Sequence, residues 1–219
     1  MFTGIVAAIG KIIECKPLGV GANAGVRLTI DAGGLSMEDV ALGDSIAING
    51  ACMTVVAKSD KDFNVDVSRE SLRRTVGLDA LSEVNLEKAL TLADRLGGHL
   101  VSGHVDGMGM VRVFQAVGES WELVIEAPHD LGKYLAYKGS ITVNGVSLTV
   151  NSVIDLAEGC EFSINLIPHT VENTALGTLQ AGSPVNLEID LIARYVERML
   201  NNDASANSAA AAFKAASPH

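Results

Sequence analysis

Short stretches in which apolar and polar residues alternate run through most of the chain, and glycine or Asn-Gly pairs separate them. Ser45–Ile48 and Ser140–Val143 show this pattern, and an Asn-Gly pair follows each of them at once. Alternation is typical of strands with one buried face. Asn-Gly favours a type I′ hairpin turn because both residues tolerate a positive φ. The pattern therefore predicts β-hairpins that turn at Asn49-Gly50 and at Asn144-Gly145.

Helices are predicted where this alternation breaks down. Residues 69–73 follow Ser68, and residues 169–172 follow Pro168, without a period of two. Ser and Pro are both common at helix starts. A third short helix is expected between Asp130 and Tyr137. All three are short, so strands remain the main elements.

The chain contains the same unit twice. Four blocks recur in the same order at offsets of 95 to 101 residues. The matched pairs are residues 4–10 with 103–109, 45–55 with 140–150, Phe63 and Thr75 with Phe162 and Thr174, and 84–87 with 185–188. A period near 100 residues is too long for a solenoid repeat and suits a small domain. We therefore place a domain boundary near Gly97-Gly98.

Each copy is expected to form a small closed β-barrel, because several short strands fall within roughly 95 residues. The predicted fold is all-β: a tandem duplication of a Greek-key-like barrel with short helices and a C-terminal oligomerisation helix. The expected segments are a first barrel at 1–97, a second barrel at 98–187, a helix at 188–200 and an Ala/Ser-rich tail at 201–219. The tail has too few apolar side chains to form a core, so we expect it to be disordered.

The predicted C-terminal helix has an apolar seam. Ile189, Ile192, Val196 and Met199 are spaced three, four and three residues apart, as in the a and d positions of a coiled coil. Fewer than three heptads do not hold a coiled coil together in water. Either the barrels help an oligomer to form around this seam, or the helix docks on its own barrel.

The charge balance argues against nucleic acid as a partner. Lys plus Arg number 16 and Asp plus Glu number 26, which gives a formal net charge of -10. An acidic surface repels a phosphate backbone. No stretch approaches the ~18 apolar residues of a membrane-spanning helix, and the first residues lack the basic flank of a signal peptide. We expect a cytoplasmic protein without a membrane contact.

The cysteines and the aromatic residues limit the chemistry. Cys15, Cys52 and Cys160 match neither a disulfide framework nor a zinc site, so reduced thiols and no bound metal are expected. With 1 Trp, 3 Tyr and 5 Phe, a pocket that stacks a ring between aromatic side chains is improbable. Gly4 and Gly103 occupy matched positions where a ring edge could approach the backbone. A glycine at a barrel bend is the alternative for each.

Several motifs together resemble the riboflavin synthase family of the α-chain type, from residue 1 to about residue 200. They are Met1–Val6, Asn49-Gly50 with Cys52-Met53-Thr54, Gly97–His104, Asn144–Thr149 and Leu166-Ile167-Pro168. The resemblance implies a homotrimer of two-barrel chains joined by C-terminal helices. It implies a dismutation in which two molecules of 6,7-dimethyl-8-ribityllumazine at each site give riboflavin and 5-amino-6-(D-ribitylamino)uracil, without a cofactor. An association with lumazine synthase stays open.

The resemblance also indicates site residues. Those expected to be catalytic are His104, Cys52, Ser147, Thr149, Ser45 and Asp190. Those expected to bind substrate are Gly4, Ile5, Val6, Cys52, Met53, Thr54, Asp66, Val67, Ser68, Arg69, Glu70, Ser71, Gly103, His104, Val105, Lys138, Ser147, Leu148, Thr149, Leu166, Ile167, Pro168, His169, Thr170 and Val171. Shared residues would hold the common ring, and unequal pairs such as Cys52 and Ser147 would distinguish donor from acceptor.

Each of these roles has a structural alternative. His104 can shuttle a proton near neutral pH, or it can be a structural histidine. Cys52 can be a nucleophile or proton donor, or a small apolar group. Asp190 can bind a ribityl hydroxyl, or simply favour the start of a helix. Lys138 can meet a polar ligand edge, or stay solvated. The hydroxyls of Ser45, Ser147 and Thr149 can instead satisfy backbone groups.

One position departs from the family pattern, and one rival function shares the fold. His169 follows Pro168 where the resemblance implies an acidic residue, so hydrogen bonding in the second pocket is expected to differ. A non-catalytic carrier of lumazine or flavin would keep the pockets and lose the chemistry. A flavin-dependent reductase would need a nucleotide-binding βαβ unit, and no such pattern follows residue 200.

Overall fold

The computed structural model describes residues 1–201, which form two closed barrels of six antiparallel strands each. This confirms the predicted tandem all-β fold. In this part of the chain no helix is both long and apolar enough to cross a bilayer. The predicted tail lies outside the described residues, except for Asn201, which belongs to the last helix.

The first barrel closes in the order β1-β2-β5-β4-β3-β6, and β6 pairs with β1. Its strands are β1 Ala8–Pro17, β2 Val26–Asp31, β3 Ser45–Ile48, β4 Ala51–Lys58, β5 Asp62–Val67 and β6 Glu83–Lys88. Helix α1, Arg69–Arg74, connects β5 to β6. Side chains that alternate inward along these strands, such as Ile46 and Phe63, fill the barrel.

The second barrel repeats this topology with β7 to β12 in place of β1 to β6. Its strands are β7 Gly107–Val117, β8 Ser120–Pro128, β9 Ser140–Val143, β10 Val146–Leu156, β11 Gly159–Leu166 and β12 Pro184–Ile189. Its helices are α2 His129–Gly132, α3 Pro168–Asn173, a 3₁₀ turn at Ala175–Thr178 and a C-terminal helix, α4, at 191–201. Phe162 is buried in the second core, as Phe63 is in the first.

Both predicted hairpin turns are present. Asn49 and Gly50 have φ of 46° and 83°, and Asn144 and Gly145 have φ of 47° and 78°. Two successive positive φ values define the type I′ turn that Asn-Gly favours. The two turns meet at the junction between the barrels, where a Cβ on Gly50 would lie 2.8 Å from the Gly145 nitrogen.

The helix predictions are confirmed for α1 and α3, whereas the third helix is shorter than expected. Proline occupies the first position of α3, where its missing N–H costs no hydrogen bond. Helix α2 ends at Gly132 rather than near Tyr137. There the Tyr134 and Leu135 amides donate back to Leu131 and Gly132, which turns Leu135 into the core.

The predicted helical seam is wrong at its first member. Ile189 is the last residue of β12 and is buried in the second barrel, so the helix carries only Ile192, Val196 and Met199 of the seam. Helix α4 is tied to its own barrel by Arg194, which pairs with Asp106. A second tie joins its Glu197 to Lys133 and Tyr134. The three seam residues nevertheless remain exposed.

Candidate active site

A short segment from each barrel lies against the other barrel. The Ser147 amide on β10 donates to the carbonyl oxygen of Gly4 at 2.7 Å. In the matching arrangement, the Cys52 amide on β4 donates to the carbonyl oxygen of Gly103 at 2.8 Å. Residues 3–6 and residues 102–105, which contain Gly4 and Gly103, are called the two crossing segments below. Each candidate pocket is therefore built from both halves of the repeat.

Glycine is required in both crossing segments. Gly4 and Gly103 have φ of 75° and 79°, which non-glycine residues rarely adopt. A Cβ on Gly4 would come within 2.6 Å of the Ser147 Cβ, and one on Gly103 within 2.7 Å of the Cys52 Cβ. The space left by the missing side chain is thus filled by the opposite barrel. A ligand ring that approaches these two backbones would therefore have to come from another side.

Two buried glutamates fix the crossing segments. Glu87 on β6 accepts hydrogen bonds from the Thr3 amide and hydroxyl at 2.6 and 2.7 Å, and from the next amide at 3.0 Å. Glu188 on β12 accepts the same three bonds from Ser102 and the following amide at the same distances. The two halves of the repeat therefore share one anchoring device.

Burial raises the pKa of both glutamates, while the hydrogen bonds from the crossing segments act in the opposite direction. The sequence analysis did not select Glu87 or Glu188. A signal was present, however, because each is a charged residue at the end of a repeated Val-Asn-Leu-Glu strand. A carboxylate in an apolar strand usually has a specific partner.

The first pocket, of about 200 Å³, lies between β4, the second crossing segment and helix α1. It brings together seven of the predicted residues. These are Cys52, Met53, Glu70, Ser71, Gly103, His104 and Val105, joined by Ala51, Arg74 and Thr75. Val105, from the second half of the repeat, packs against the core of the first barrel.

Helix α1 forms a charged wall of the first pocket. Ser68 caps it, because its Oγ accepts a hydrogen bond from the Ser71 amide at 3.0 Å. Glu70 pairs with Arg74 one turn later at 2.7 Å, and this partner lowers the pKa of Glu70. The Thr75 hydroxyl closes the helix by donating to the Ser71 carbonyl at 2.7 Å.

We take the matching elements of the second half, β10, the first crossing segment and α3, as the second candidate pocket; its helix lacks the ion pair that Glu70 and Arg74 form on α1. Val6, Leu148 and Val171 each pack against the core of the second barrel. On helix α3 the positions of Glu70 and Arg74 are taken by His169 and Asn173, and the Asn173 side-chain Nδ2 donates to the His169 carbonyl at 2.8 Å. These contacts differ from those on α1, while the expected departure from the family pattern at His169 stays a prediction.

Sequence analysis also missed a histidine beside the second pocket. The Nδ1 atom of His99 lies 2.7 Å from the Ser147 Oγ. Its Nε2 atom is buried and has no hydrogen-bond partner within residues 1–201. Burial lowers the pKa of His99. His99 has no counterpart in the first copy, where Cys52 replaces Ser147, so the repeat alignment gave no signal for it.

Four of the predicted residues do not line the first pocket. Ser45 and Ile5 line a separate cavity of about 660 Å³ in the first half. The Lys138 Nζ donates to the Asn151 Oδ1 at 3.0 Å. The Asp190 Oδ1 accepts a hydrogen bond from the Ile192 amide at 2.8 Å, which is the helix-start role considered as its alternative.

Several other predicted residues have structural partners. Asp66 forms a two-bond ion pair with Arg27 at 2.7 and 2.8 Å, which lowers the pKa of Asp66. The side chains of Val67 and Leu166 are buried in the two cores, so only their backbones can meet a ligand. Exposed hydroxyls lie on β4 and β10 at Thr54 and Thr149. Two helix starts hold the remaining predicted residues. Arg69 begins α1, and Ile167, Pro168 and Thr170 lie at the start of α3.

The three thiols are all unpaired. Burial raises the pKa of Cys15 and of Cys160, which keeps both protonated. Cys52 is half-buried and belongs to the first pocket. Among residues 1–201, no cluster of three or more His, Cys, Asp or Glu side chains is arranged to hold a metal ion.

The sequence matches a known domain family twice. The lumazine binding domain matches residues 3–89 and again residues 102–190. The riboflavin synthase of Photobacterium phosphoreum is 42% identical over 206 residues, which cover 91% of this chain and 89% of that protein. The riboflavin synthase of Mycobacterium tuberculosis H37Rv is 45% identical over 211 residues, which cover 92% of this chain and 99% of that protein.

Solved structures of LumP are also similar to this chain. LumP complexed with 6,7-dimethyl-8-(1'-D-ribityl) lumazine is 26% identical, with a TM-score of 0.71, and the match covers 86% of this chain and 99% of LumP. LumP complexed with riboflavin gives a TM-score of 0.73 at the same identity and coverage.

Proposed function

The chain belongs to the lumazine-binding family, and we propose that it works as a riboflavin synthase. In this reaction two molecules of 6,7-dimethyl-8-ribityllumazine exchange a four-carbon unit and give riboflavin and 5-amino-6-(D-ribitylamino)uracil. The two products together contain all the atoms of the two substrates, so the exchange needs no external oxidant or reductant. One observation carries this function: each half of the repeat lays a matched segment against the other barrel, and the side chains at these matched places differ.

A dismutation needs such a pair of pockets, because identical molecules must play different roles. Shared features would hold the common ring, and these are the two crossing segments with their glutamate anchors. Unequal features would distinguish donor from acceptor. The clearest are Cys52 against Ser147, and the Glu70–Arg74 ion pair of α1 against His169 and Asn173 of α3.

The proposed role of the side chains is to orient the rings and to move protons. The lumazine ring can delocalise the negative charge left when its C7 methyl group loses a proton. His104 lies at the first pocket beside Cys52, and it is our candidate for the group that carries this proton. In the second candidate pocket, the Ser147 Oγ lies 2.7 Å from the His99 Nδ1, and this hydroxyl is a further polar group for the ligand.

We propose a homotrimer in which the first barrel of one chain faces the second barrel of its neighbour. The exposed seam on α4 supports this arrangement: Ile192, Val196 and Met199 are 63%, 44% and 60% exposed in the single chain. Two salt bridges join α4 to its own barrel while the seam stays exposed. Burial of these side chains would favour association.

We also propose a cytoplasmic location, where the three unpaired thiols would stay reduced. Association with lumazine synthase would deliver the substrate directly. Co-sedimentation of the two purified proteins at low ionic strength tests that partnership.

A carrier that binds lumazine or flavin without turnover is the second candidate, because LumP shares the fold. The higher identity to riboflavin synthases, 42% and 45% against 26%, favours the enzyme. The deciding experiment mixes the purified full chain with the lumazine and a chelator, and follows absorbance in the flavin band. A synthase produces flavin continuously, whereas a carrier binds the lumazine and produces none.

A further inference from the structure

Four buried asparagines meet where the barrels join. Within each barrel, one pair connects the hairpin turn to the last strand. The Asn49 Oδ1 accepts a hydrogen bond from the Asn85 amide at 2.9 Å, and the Asn144 Oδ1 accepts one from the Asn186 amide at 2.8 Å. These bonds place the side chains of Asn85 and Asn186 at the junction, where they are 2% and 1% exposed.

The side chains of Asn85 and Asn186 then cross to the other barrel. The Asn85 Nδ2 donates to the carbonyl oxygen of Asn144 at 2.9 Å. The Asn186 Nδ2 donates to the carbonyl oxygen of Asn49 at 3.0 Å. Each asparagine thus joins its own strand to the opposite hairpin turn.

The carboxamides also hold the chain that leaves each pocket helix. The Asn186 Oδ1 accepts a hydrogen bond from the Val76 amide at 2.8 Å, and its Nδ2 donates to the Val76 carbonyl at 3.1 Å. Val76 directly follows Thr75, which ends α1 and lines the first pocket. Asn186 belongs to the second barrel, so the first pocket's wall is held from outside its own barrel.

Asn85 makes the equivalent bond to the chain that follows α3. The Asn85 Oδ1 accepts a hydrogen bond from the Ala175 amide at 2.7 Å. Ala175 follows Thr174, which ends α3. A carboxamide supplies a donor and an acceptor at the same place, as these paired contacts require. Aspartate lacks the donor, and an apolar residue would leave buried backbone groups unpaired.

We propose that Asn85 and Asn186 are positioning residues that act crosswise. Asn186 of the second barrel fixes the α1 wall of the first pocket, and Asn85 of the first barrel fixes the α3 wall of the second. This inference rests on the pocket positions of the proposed function. It makes each pocket dependent on both barrels, through bonds separate from those of the crossing segments.

The test compares Asn186→Ala with Asn85→Ala in the full chain by hydrogen exchange and mass spectrometry. We expect Asn186→Ala to speed exchange at least tenfold in residues 69–76 and to leave residues 168–178 unchanged. Asn85→Ala should produce the reverse pattern. The expected size corresponds to the loss of one or two buried hydrogen bonds. Riboflavin titration should show about tenfold weaker binding in only one of the two pockets of each variant.

A milder variant covers the case in which an asparagine variant does not fold. Ala175 is the first residue of a 3₁₀ turn, a position that tolerates proline, so Ala175→Pro removes the N–H that Asn85 binds and adds only the ring atoms at this buried position. Ala175→Gly keeps that N–H and serves as the control. We expect faster exchange around α3 in Ala175→Pro and not in Ala175→Gly.

Three outcomes would overturn the crosswise role. Exchange could become faster in the helix of the mutated residue's own barrel, it could become faster equally in both helices, or it could stay unchanged. The exchange pattern does not depend on turnover. A chain that forms no flavin but shows the crossed pattern would refute the proposed reaction and keep this inference. A chain that forms flavin without the crossed pattern would support the proposed reaction and refute this inference.

Discussion

The Glu87 carboxylate accepts hydrogen bonds from both the amide and the hydroxyl of Thr3, at 2.6 and 2.7 Å. Glu87 belongs to the first barrel, whereas Thr3 begins the segment that crosses to the second. One side chain in the first barrel thus sets the path of a segment that helps to form the second pocket. Glu188 does the same for the first pocket through Ser102.

Glu87→Gln should therefore weaken ligand binding in the second pocket, and Glu188→Gln in the first. Glutamine keeps one acceptor oxygen and places an NH₂ group against backbone N–H donors, so one contact becomes repulsive. We expect about a tenfold loss of affinity for the lumazine in the affected pocket. Titration followed by NMR, with separate bound signals for the two pockets, measures it. Glu83→Gln, an exposed change on the same strand as Glu87, is the control, and loss in the mutated barrel's own pocket would contradict the prediction.

Gly103→Ala should cost much more stability than Gly182→Ala. Both glycines have a positive φ, 79° and 88°, so both substitutions carry about 1–2 kcal/mol of backbone strain. Only at Gly103 would the new Cβ also overlap a neighbour, the Cys52 Cβ at 2.7 Å, whereas Gly182 faces open space. Overpacking adds about 1–3 kcal/mol. Denaturant unfolding of the two variants measures the difference, and equal costs would show that the crossing segment simply moves aside.

Sequence reasoning predicted those parts of the fold that local rules decide. The hairpin at Asn49-Gly50 follows from the φ preferences of two adjacent residues, and the duplication follows from matched blocks. The pattern predicts a longer α2 than the structure shows, because the end of this helix is set by the way Leu135 turns into the core. Ile189 was assigned to the helix because its spacing fits a heptad, while pairing with Ile141 in the sheet places it in β12.

Less of the candidate site than of the fold could be predicted from the sequence, because its key contacts join distant parts of the chain. Cys52 and His104 were selected, and the structure brings them into one pocket. That the pocket of the first barrel needs residues 102–105 depends on how the barrels cross, which no local pattern encodes. His99 was overlooked because its partner, Ser147, is 48 residues away.

His99 should make the protein less stable in mild acid. Its pKa in the fold is lowered by burial, so the unfolded chain binds more protons between the folded pKa and the ordinary value near 6.5. Stability is then fully present above that value and is lost as the pH falls through this window. The free energy of unfolding of the wild type should decrease relative to His99→Gln as the pH is lowered from 7 towards 5. Parallel curves for the two proteins would show that His99 does not titrate differently in the folded and unfolded states.

His104→Gln should reduce turnover far more than binding. The side chain is exposed at the first pocket, so its replacement disturbs no packing, but it removes the proposed proton carrier. General acid–base groups contribute about 10²–10⁴-fold to rates, and we expect kcat to fall within that range. Steady-state flavin formation gives kcat, and lumazine titration gives the affinity. His169→Gln, which changes an exposed histidine of the other half, is the comparison, and a kcat within twofold of wild type in His104→Gln would remove His104 from the mechanism.

Met199→Asp should separate the subunits and abolish activity together. Met199 is 60% exposed on α4 in the single chain, and in the proposed trimer it would be buried against its neighbours. Burying an unpaired carboxylate costs several kcal/mol, so the variant should sediment as a monomer while its barrels remain folded. Arg198→Ala, an exposed change one residue earlier on the same helix, should stay assembled and active. Because the proposed reaction joins pockets of two chains, a sedimentation-verified monomer with wild-type turnover would show that one chain completes the dismutation alone.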